Sequence, residues 1–387
     1  MFKGTFNAGR AAYLLMAGTL TSCGYIRLID YNPKNGFATA TPHPSSQTFL
    51  VTTNMTSSDM SVYLFNAANG SLSFPLTITR PMFYGPAAIV FESSGKFAYV
   101  DNVSGYTVSA YSIDPATGNF NELAGSPYAV GTVPLGLAID PLGKFIFVGN
   151  SDSTAYSIMV FNRDAVTGKL AGQVPGSPFT SVKGAVYHSI AIDPTGQFLY
   201  CAENGNNTIE AFSIAANGAL TPLATPRYSV GGNPIPLVMS PSGNHLYSTG
   251  YTSAGGVSGF VVNTVTGALT SIGPSVLAGT NPFAMTMDVS ASHLFVANSG
   301  SNDLTRLNIN ALDGSLSASG SVPVGTAPWA LTFDPSGNYL YVANHGANTI
   351  SAFAYNSGTA ALTPLAVPSY TSGAAPSSIS FVTVPWP

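Results

Sequence analysis

The sequence carries very little charge. Lys, Arg, Asp and Glu together make up 7% of the 387 residues, whereas about 25% is usual in soluble domains. The formal net charge is −4 and no basic cluster occurs, which excludes the electrostatic footprint of a nucleic-acid-binding protein. The hydrophobic fraction of 45% excludes intrinsic disorder. The surface must therefore be rich in hydroxyl and amide groups.

Long apolar runs, cysteines and familiar catalytic motifs are also scarce. After residue 23 no run reaches the roughly 18 apolar residues that a membrane helix needs. The sequence has no Gly-x-Ser-x-Gly elbow and no His-Glu-x-x-His helix, so serine hydrolases and zinc proteases of those types lack their motif. The five histidines show no metal-ligand spacing, and we expect neither a metal nor a cofactor. Of the two cysteines, Cys201 lies in an apolar strand and is predicted to be a small core residue.

The chain does contain a recurring turn followed by a strand. In its clearest copy, DPSGNYLYVAN (Asp334 to Asn344), Asp, Pro and Gly hold the first, second and fourth places of a type I turn. The apolar run that follows predicts a strand. Asn344 is expected to end that strand because asparagine tolerates a left-handed φ. Earlier copies end at Asn54, Asn102, Asn150, Glu203, Gly250 and Asn298.

The copies recur at an almost constant interval. The position of the turn glycine advances by 46 to 53 residues through Ser46, Gly95, Gly143, Gly196, Gly243, Ala291 and Gly337. A second glycine recurs in phase at Gly70, Gly118, Gly168, Gly218, Gly267, Gly314 and Gly358. Strand-only repeats of about 40–50 residues are typical of β-propellers. The sequence therefore predicts an all-β, seven-bladed β-propeller with four-stranded antiparallel blades.

A count of strand patterns predicts how the ring closes. The first-strand pattern occurs eight times, whereas the other three strands occur seven times each. The C-terminal copy, Pro376 to Val384, alternates more clearly than the N-terminal copy, Phe37 to His43, which carries prolines just beyond it. We therefore expect Ser380 to Val384 to pair with Phe49 to Thr53, so that a terminal strand closes the ring.

The N-terminus resembles a bacterial lipoprotein signal. Lys3 and Arg10 precede an apolar run from Ala11 to Leu20, which is too short to span a bilayer, and Leu20-Thr21-Ser22-Cys23 closes it. The resemblance implies cleavage of residues 1–22, lipidation of Cys23, a linker over 23–36 and the propeller over 37–387. It also implies a lipid-anchored protein of the cell envelope, on the periplasmic or extracellular face, in which no intrachain disulfide can form.

The repeats themselves resemble those of the YVTN-type, lactonase-like seven-bladed propellers, whose characterised members include 6-phosphogluconolactonase. In that family a histidine begins an inner strand and an Asp-Leu-Gly-x-Asp-Arg segment lies across a hairpin from it. Here His188 opens YHSIAIDP, and the later segment reads Glu203-Asn204-Gly205-Asn206-Asn207-Thr208. Glu203 and Asn207 stand in place of the two aspartates, and Thr208 in place of the arginine. The second carboxylate and the arginine of the family pattern are thus missing.

The repeat register places the starts of first strands and the loops after second strands on one face, at the mouth of the central channel. Opening a lactone needs a base and an oxyanion donor, so His188 and Glu203 are the predicted catalytic pair. Arg80 approaches the same face. The other ionisable or amide groups placed there are predicted to bind ligand: Asp101, Asp152, Lys183, Asn207, Arg227, Asp303 and His345. For each carboxylate or amide, capping of a tight turn is the structural alternative.

Two functions stay open at this point. The altered lactonase segment, the lipid anchor and the few ionisable groups favour a non-catalytic envelope protein that binds a small molecule, a polymer or another protein. The alternative is a sugar-lactone hydrolase that acts outside the cytoplasm, where a neutral lactone is the expected substrate. In either case we expect a monomer that contacts membrane only through its anchor and binds no nucleic acid.

The lipid anchor can be tested by Cys23→Ala. Because several acyl chains give lasting membrane attachment, we expect the variant to appear in the soluble fraction or to stay unprocessed. Fractionation followed by immunoblotting measures this. Unchanged membrane partitioning of the variant would show that the attachment does not depend on Cys23.

Overall fold

The structure is a computed structural model that describes residues 31–32, 36–37, 45–73, 75–79, 84–151, 157–180 and 186–386. The chain divides into two units, Met1–Ser45 and Ser46–Pro387. In the first, Tyr31–Asn32 pairs antiparallel with Gly36–Phe37. Cys23 and residues 38–43 lie outside the described residues. Within the described ranges, no helix has the length and apolar character needed to cross a membrane.

The second unit is the predicted seven-bladed β-propeller. The unit contains seven antiparallel sheets, the blades. In six of them the strands follow one another in chain order, from a first, innermost strand to a fourth, outermost strand. In blade 1 the innermost strand comes from the C-terminal end of the chain. The first strands contact those of the neighbouring blades all the way round the ring. The four-stranded, all-β architecture predicted from the repeats is confirmed. The first described strand of the propeller begins at Ser46, nine residues after the predicted start of the domain.

The two inner strands of each blade are regular. From blade 1 to blade 7, the first strands are Pro376–Pro385, Pro86–Phe91, Pro134–Ile139, Tyr187–Ile192, Pro234–Met239, Pro282–Met287 and Pro328–Phe333. The second strands are Ser46–Asn54, Phe97–Asn102, Phe145–Asn150, Phe198–Glu203, His245–Gly250, His293–Asn298 and Tyr339–Asn344. The central residues of the second strands are buried, because both faces of each sheet pack against neighbouring blades.

The outer strands are less uniform. The third strands are Asp59–Asn66, Thr107–Ile113, Ser157–Arg163, Thr208–Ile214, Gly256–Val262, Asp303–Ile309 and Thr349–Asn356. The fourth strand is continuous in blades 4, 6 and 7, as Leu220–Ser229, Leu316–Pro323 and Ala361–Thr371. In blades 1, 2, 3 and 5 it has two pieces: Ser71–Leu72 and Leu76–Thr79, Phe120–Glu122 and Tyr128–Ala129, Leu170–Gln173 and Phe179–Thr180, Leu269–Ser271 and Val276–Leu277. A single-turn 3₁₀ segment, Asn204–Asn206, joins two strands of blade 4.

The C-terminal strand closes the ring. Pro376–Pro385 is the first strand of blade 1 and pairs antiparallel with Ser46–Asn54, so the blade is built from both ends of the chain. Phe49 lies opposite Val382 and Val51 lies opposite Ser380. The predicted partner strands are confirmed. Pro376–Pro385 holds the inner position, and residues 38–43 of the alternative closing strand lie outside the described residues.

The turn that defines the repeat works through its first side chain. The Asp334 carboxylate accepts hydrogen bonds from the backbone N–H groups of Ser336, Asn338 and Tyr339, at 2.7 to 3.0 Å. This agrees with the predicted capping. The explanation for Asn344 was wrong, because no left-handed φ occurs there. Its side-chain amide instead bonds to the following third strand.

The second recurring glycine is required by packing between blades. Gly168 has φ +71°, and a Cβ there would lie 2.3 Å from the Phe97 ring of the preceding blade. The Tyr99 hydroxyl donates a 2.6 Å hydrogen bond to the Gly168 carbonyl. Corresponding glycines meet the first aromatic residue of the preceding blade's second strand: Gly70, Gly118, Gly218, Gly267 and Gly314. The periodic glycine therefore marks the place where one blade seats against the next.

Closure by the C-terminal strand predicts that the whole ring depends on it. Truncation after Ala375 removes all ten residues of that strand and opens two unpaired edges. We expect loss of the cooperative thermal transition in circular dichroism, whereas deletion of residues 386–387 alone should leave the transition in place. A truncated protein that melts like the full chain would mean that blade 1 is dispensable for the ring.

Candidate active site

We define the upper face as the side of the propeller that carries the starts of the first strands and the loops between the second and third strands. In each blade, a register shift interrupts the pairing of the first strand near this face. A bulge of this kind re-aims the side chain of the unpaired residue. In blade 4 the unpaired residue is His188, between Tyr187 and Ser189. Its counterparts in the other blades are Ala87, Leu135, Ile235, Phe283, Trp329 and Ser377.

In four blades, an asparagine side chain holds the hairpin between the second and third strands. The asparagine that ends the second strand donates from its side-chain amide to the residues five and seven positions later, at 2.6 to 3.1 Å. The sets are Asn54 with Asp59 and Ser61, Asn102 with Thr107 and Ser109, Asn298 with Asp303 and Thr305, and Asn344 with Thr349 and Ser351. This bond set fixes the loop between second and third strands.

Blade 4 replaces this pattern with an ionic network. Glu203 stands in place of the asparagine and Glu210 in place of the serine or threonine, while Thr208 keeps its position. The Thr208 hydroxyl donates to Glu203. Arg227 donates from Nε to Glu203 Oε2 at 3.1 Å and from a terminal nitrogen to Glu210. The Tyr187 hydroxyl donates to the other Glu210 oxygen.

The network presents one cation to solvent and hides two anions behind it. The side chains of Glu203 and Glu210 are 0% and 3% exposed, whereas that of Arg227 is 28% exposed. Buried carboxylates are tolerated only when they are paired and hydrogen-bonded. Arg227 is therefore fixed in orientation by both carboxylates, with part of its guanidinium side chain open at the upper face.

His188 follows Tyr187, a member of this network, in the chain and carries an imidazole that is unpaired among the described residues. It is half-buried, and in the described part of the chain it forms no hydrogen bond. Burial lowers its pKa below the usual 6.5, because desolvation disfavours the charged imidazolium. The imidazole is therefore neutral at pH 7 and can accept a proton. His188 and Glu203, the predicted catalytic pair, share no hydrogen bond among the described residues, because Glu203 bonds to Thr208 and Arg227.

The sequence of this propeller matches a known protein family. The model of the family "Lactonase, 7-bladed beta-propeller" matches residues 77–186, 174–287, 216–310 and 284–381. These matches span most of the chain. The chain belongs to this lactonase family.

Several curated relatives of this chain are named 6-phosphogluconolactonase. The protein of Pectobacterium carotovorum is 29% identical over 161 residues, which are 39% of this chain and 45% of that protein. The protein of Erwinia tasmaniensis is 28% identical over 182 residues, which are 46% of this chain and 51% of that protein. The chain thus spans about half the length of these relatives.

Solved structures resemble the whole propeller. The periplasmic gluconolactonase of Pseudomonas aeruginosa superposes with a TM-score of 0.77 at 23% identity, over 88% of this chain and 100% of that one. A protein from Lactobacillus plantarum superposes with a TM-score of 0.72 at 18% identity, over 87% and 99%. At these identities the likeness shows the lactonase fold alone.

The other predicted ligand-binding residues have varied surroundings. Asp303 accepts hydrogen bonds from Asn298 and Ser301, both at 2.8 Å, as the turn-capping alternative describes. Asn207 has a left-handed φ of 55° and accepts a bond from the backbone N–H of Asn233. Asn302 and Asn348 make the equivalent bond in blades 6 and 7, so this bond belongs to the fold. Their ligand-binding roles stay predictions.

Three further candidates cannot be placed in the site. Arg80, Asp152 and Lys183 lie outside the described residues. His345 is described and stacks on the Trp329 ring, away from blade 4. In the described ranges, no three His, Cys, Asp or Glu side chains are grouped to hold a metal ion. Cys201 is fully buried, as predicted for a core residue.

Asp101 is a buried carboxyl at the upper end of blade 2. One of its oxygens accepts hydrogen bonds from the backbone N–H groups of Ala87 and Ala88, at 3.2 and 2.5 Å. Its other oxygen is buried and makes no hydrogen bond among the described residues. Desolvation raises the pKa of Asp101 to about 7 in spite of the backbone bonds. This carboxyl is therefore protonated in mildly acidic solution.

A cavity lies at the other end of the channel. It measures about 510 Å³ and is lined by the ends of the first strands of blades 1 to 4, including Ile139, Ile192 and Phe381. The cavity lining contains one carboxylate, Asp140, which accepts hydrogen bonds from backbone N–H groups of the turn that it begins. The cavity therefore offers an apolar space without free acid–base groups, and the reactive side chains are those at the upper face.

Tyr187 and Glu210 are site residues that the sequence-based prediction missed. The signal was present in the repeats. Tyr187 stands where six other first strands begin with proline, and Glu210 stands where four hairpins carry serine or threonine. A position-by-position comparison of the seven copies would have shown that blade 4 departs from its neighbours at both places, in addition to His188 and Glu203.

The raised pKa of Asp101 predicts a pH-dependent stability. Between the unfolded pKa of 3.8 and the folded value of about 7, the native state binds more protons than the unfolded chain. The free energy of unfolding should therefore fall by up to about 1.4 kcal/mol for each unit that the pH rises through this window, and should level off above it. Asp101→Asn keeps an acceptor for Ala87 and Ala88 without the charge.

We expect Asp101→Asn to raise Tm clearly at pH 8 and to change it little at pH 4, measured by differential scanning calorimetry. An equal shift at both pH values would show that the buried carboxyl is not the titrating group.

Proposed function

We propose that the protein hydrolyses a sugar lactone at the upper mouth of the propeller channel, outside the cytoplasm. The observation that carries this proposal is the departure of blade 4 from the other six. Among the described residues, only this blade combines at the upper face an imidazole that forms no hydrogen bond, His188, with a partly exposed arginine, Arg227, that two buried carboxylates hold. A fold-preserving repeat needs none of these groups, since in four other blades an asparagine side chain closes the same hairpin without an arginine.

The chemistry follows from the protonation states. Neutral His188 accepts a proton from a water molecule as its oxygen attacks the lactone carbonyl carbon. Negative charge then develops on the carbonyl oxygen, where the Arg227 guanidinium stabilises it. The bond from the carbonyl carbon to the ring oxygen breaks, and protonated His188 returns its proton to that oxygen. The product is the open-chain hydroxy acid, which releases one proton to solution.

Glu203 has a different part in this scheme from the acid–base role expected from the sequence. It acts as a positioning residue, because its carboxylate bonds to Arg227 and to Thr208. Glu210 and Tyr187 complete the same support. A cation held from two sides loses little orientational freedom when the transition state forms, which is the basis of electrostatic preorganisation.

The names of relatives support the hydrolase alternative better than the non-catalytic binding protein that the sequence favoured. Curated relatives are named 6-phosphogluconolactonase, and a structural relative is named periplasmic gluconolactonase. A periplasmic location agrees with the signal-like N-terminus, and anchoring through Cys23 is part of this proposal. A neutral sugar lactone suits that compartment.

Hydrolysis by His188 can be measured as acid release from D-glucono-δ-lactone in a pH-stat near pH 6.5, where the uncatalysed reaction is slow. His188→Ala should fold, since Ala87 holds the same bulge position in blade 2. General-base catalysis contributes about 10²–10⁴-fold, so we expect kcat to fall at least about 100-fold. In the unaltered protein, kcat/KM should decline only below pH 6.5, because burial lowers the pKa of His188.

His245→Phe is the matched control. It removes a histidine at the lower face, where other second strands begin with phenylalanine, and should leave the rate unchanged. Glu203→Gln should lower kcat while the KM and the pH midpoint stay the same, as expected of a positioning residue. Equal rates for the unaltered protein and His188→Ala would disprove the proposed mechanism.

A further inference from the structure

A column of aromatic rings stands at the upper face on the side of blades 5 to 7. Phe283 and Trp329 stack with ring centroids 4.5 Å apart and planes 11° apart. His345 stacks on Trp329 at 3.5 Å and 18°. Tyr251 meets Phe283 edge to face, at 5.9 Å and 84°. The stack thus joins four rings from three consecutive blades.

The repeat explains why these rings meet. Phe283 and Trp329 occupy the bulge positions of blades 6 and 7, which are the counterparts of His188. Tyr251 and His345 each follow directly after a second strand, in blades 5 and 7. These positions lie at the upper face, where the first strands begin and the second strands end. In blades 1 and 2 the bulge residues are the small Ser377 and Ala87, so large rings are not required there by the fold.

The column is separate from the apolar cores between blades. None of the four rings belongs to the seven clusters of buried hydrophobic residues. All four are half-buried. Stacked aromatic rings that are left open to water at a concave site are a common means of ligand recognition.

Polar groups on the column are open as well. In the described part of the chain, neither the Trp329 indole N–H nor the His345 imidazole forms a hydrogen bond, and neither is a buried unpaired group. Both are therefore in contact with solvent. The column combines an apolar surface with two hydrogen-bonding groups at its edge, which matches a sugar ring, whose faces carry C–H groups and whose rim carries hydroxyls.

The column also lacks positive charge. Burial lowers the pKa of His345 below its usual value, so its ring is neutral at pH 7. Among the described residues, Arg227 is the one Lys or Arg at the upper face, and it is engaged by Glu203 and Glu210. The others lie within blades or at the lower face: Lys96, Lys144, Arg163, Lys169 and Arg306. The four rings of the column themselves therefore offer no cation to a phosphate group.

The column extends from a blade next to blade 4 to a blade across the channel from it. Tyr251 follows the second strand of blade 5, the neighbour of blade 4, and Trp329 lies in blade 7. In a ring of seven blades, blade 7 lies opposite blade 4. The column and the groups of blade 4 therefore border the same mouth, where a sugar lactone can place its ring on the column and its carbonyl towards blade 4.

We propose that Tyr251, Phe283, Trp329 and His345 form the binding platform for the ring of an unphosphorylated sugar lactone. This inference rests on the proposed function for the location of the reacting carbonyl. The binding itself can be tested without catalysis, because a lactam keeps the six-membered ring and replaces the ester by an amide that resists hydrolysis.

The probe is D-glucono-δ-lactam, compared with its 6-phosphate. The chain has two tryptophans, so Trp386→Phe leaves Trp329 as the sole tryptophan reporter. We expect saturable tryptophan fluorescence changes with the lactam in that variant and weaker binding of the phosphate ester. Trp329→Leu places an aliphatic side chain at the bulge, as Leu135 does in blade 3, and should preserve the fold. We expect it to weaken lactam binding about tenfold in calorimetry.

The outcomes separate this inference from the proposed function. Lactam binding that depends on Trp329, without lactone hydrolysis, supports the platform and overturns the hydrolase. Hydrolysis with a KM unaffected by Trp329→Leu overturns the platform and leaves the hydrolase. The platform is also overturned if the lactam does not bind, or if its 6-phosphate binds more tightly.

Discussion

The pairing of the two chain ends is the constraint on which the rest of the molecule depends. Blades of a propeller are stabilised by packing against two neighbours, so an open ring would expose two blade faces and two sheet edges. The strand Pro376–Pro385 removes that exposure by pairing along the full length of Ser46–Asn54. Every blade then has two neighbours, and the seven first strands surround one channel whose mouth is held at constant geometry.

That symmetry supplies the positions at which a site can be built. The bulge near the start of each first strand and the residue after each second strand recur seven times around the mouth. Most copies hold small, aliphatic or amide side chains that serve the fold. Function can therefore be added by changing side chains at a few repeated positions, while the backbone stays the same.

Blade 4 shows what it costs to replace the asparagine at the end of the second strand by a buried glutamate. An asparagine that bonds to threonine and serine fixes a hairpin without burying charge. Glu203 and Glu210 bury two carboxylates that must be compensated by Arg227, Thr208 and Tyr187. Such a network is costly to assemble and offers the hairpin no closure that asparagine does not already give. Its gain is an oriented, partly exposed arginine at the upper face, in the same blade as a neutral imidazole.

The sequence by itself determined the fold, the blade number and the closing strand, because turn residues and strand alternation are local signals repeated seven times. It also identified His188, Glu203 and Arg227 as members of the upper face, since repeat register translates directly into position. Only the tertiary structure decided how these groups pair. Arg227 lies 24 residues beyond Glu203 in the chain and reaches it through the fourth strand, and Trp329 meets Phe283 across two blades. Such contacts depend on side-chain direction and on packing between blades, which the spacing of residues along a chain does not encode.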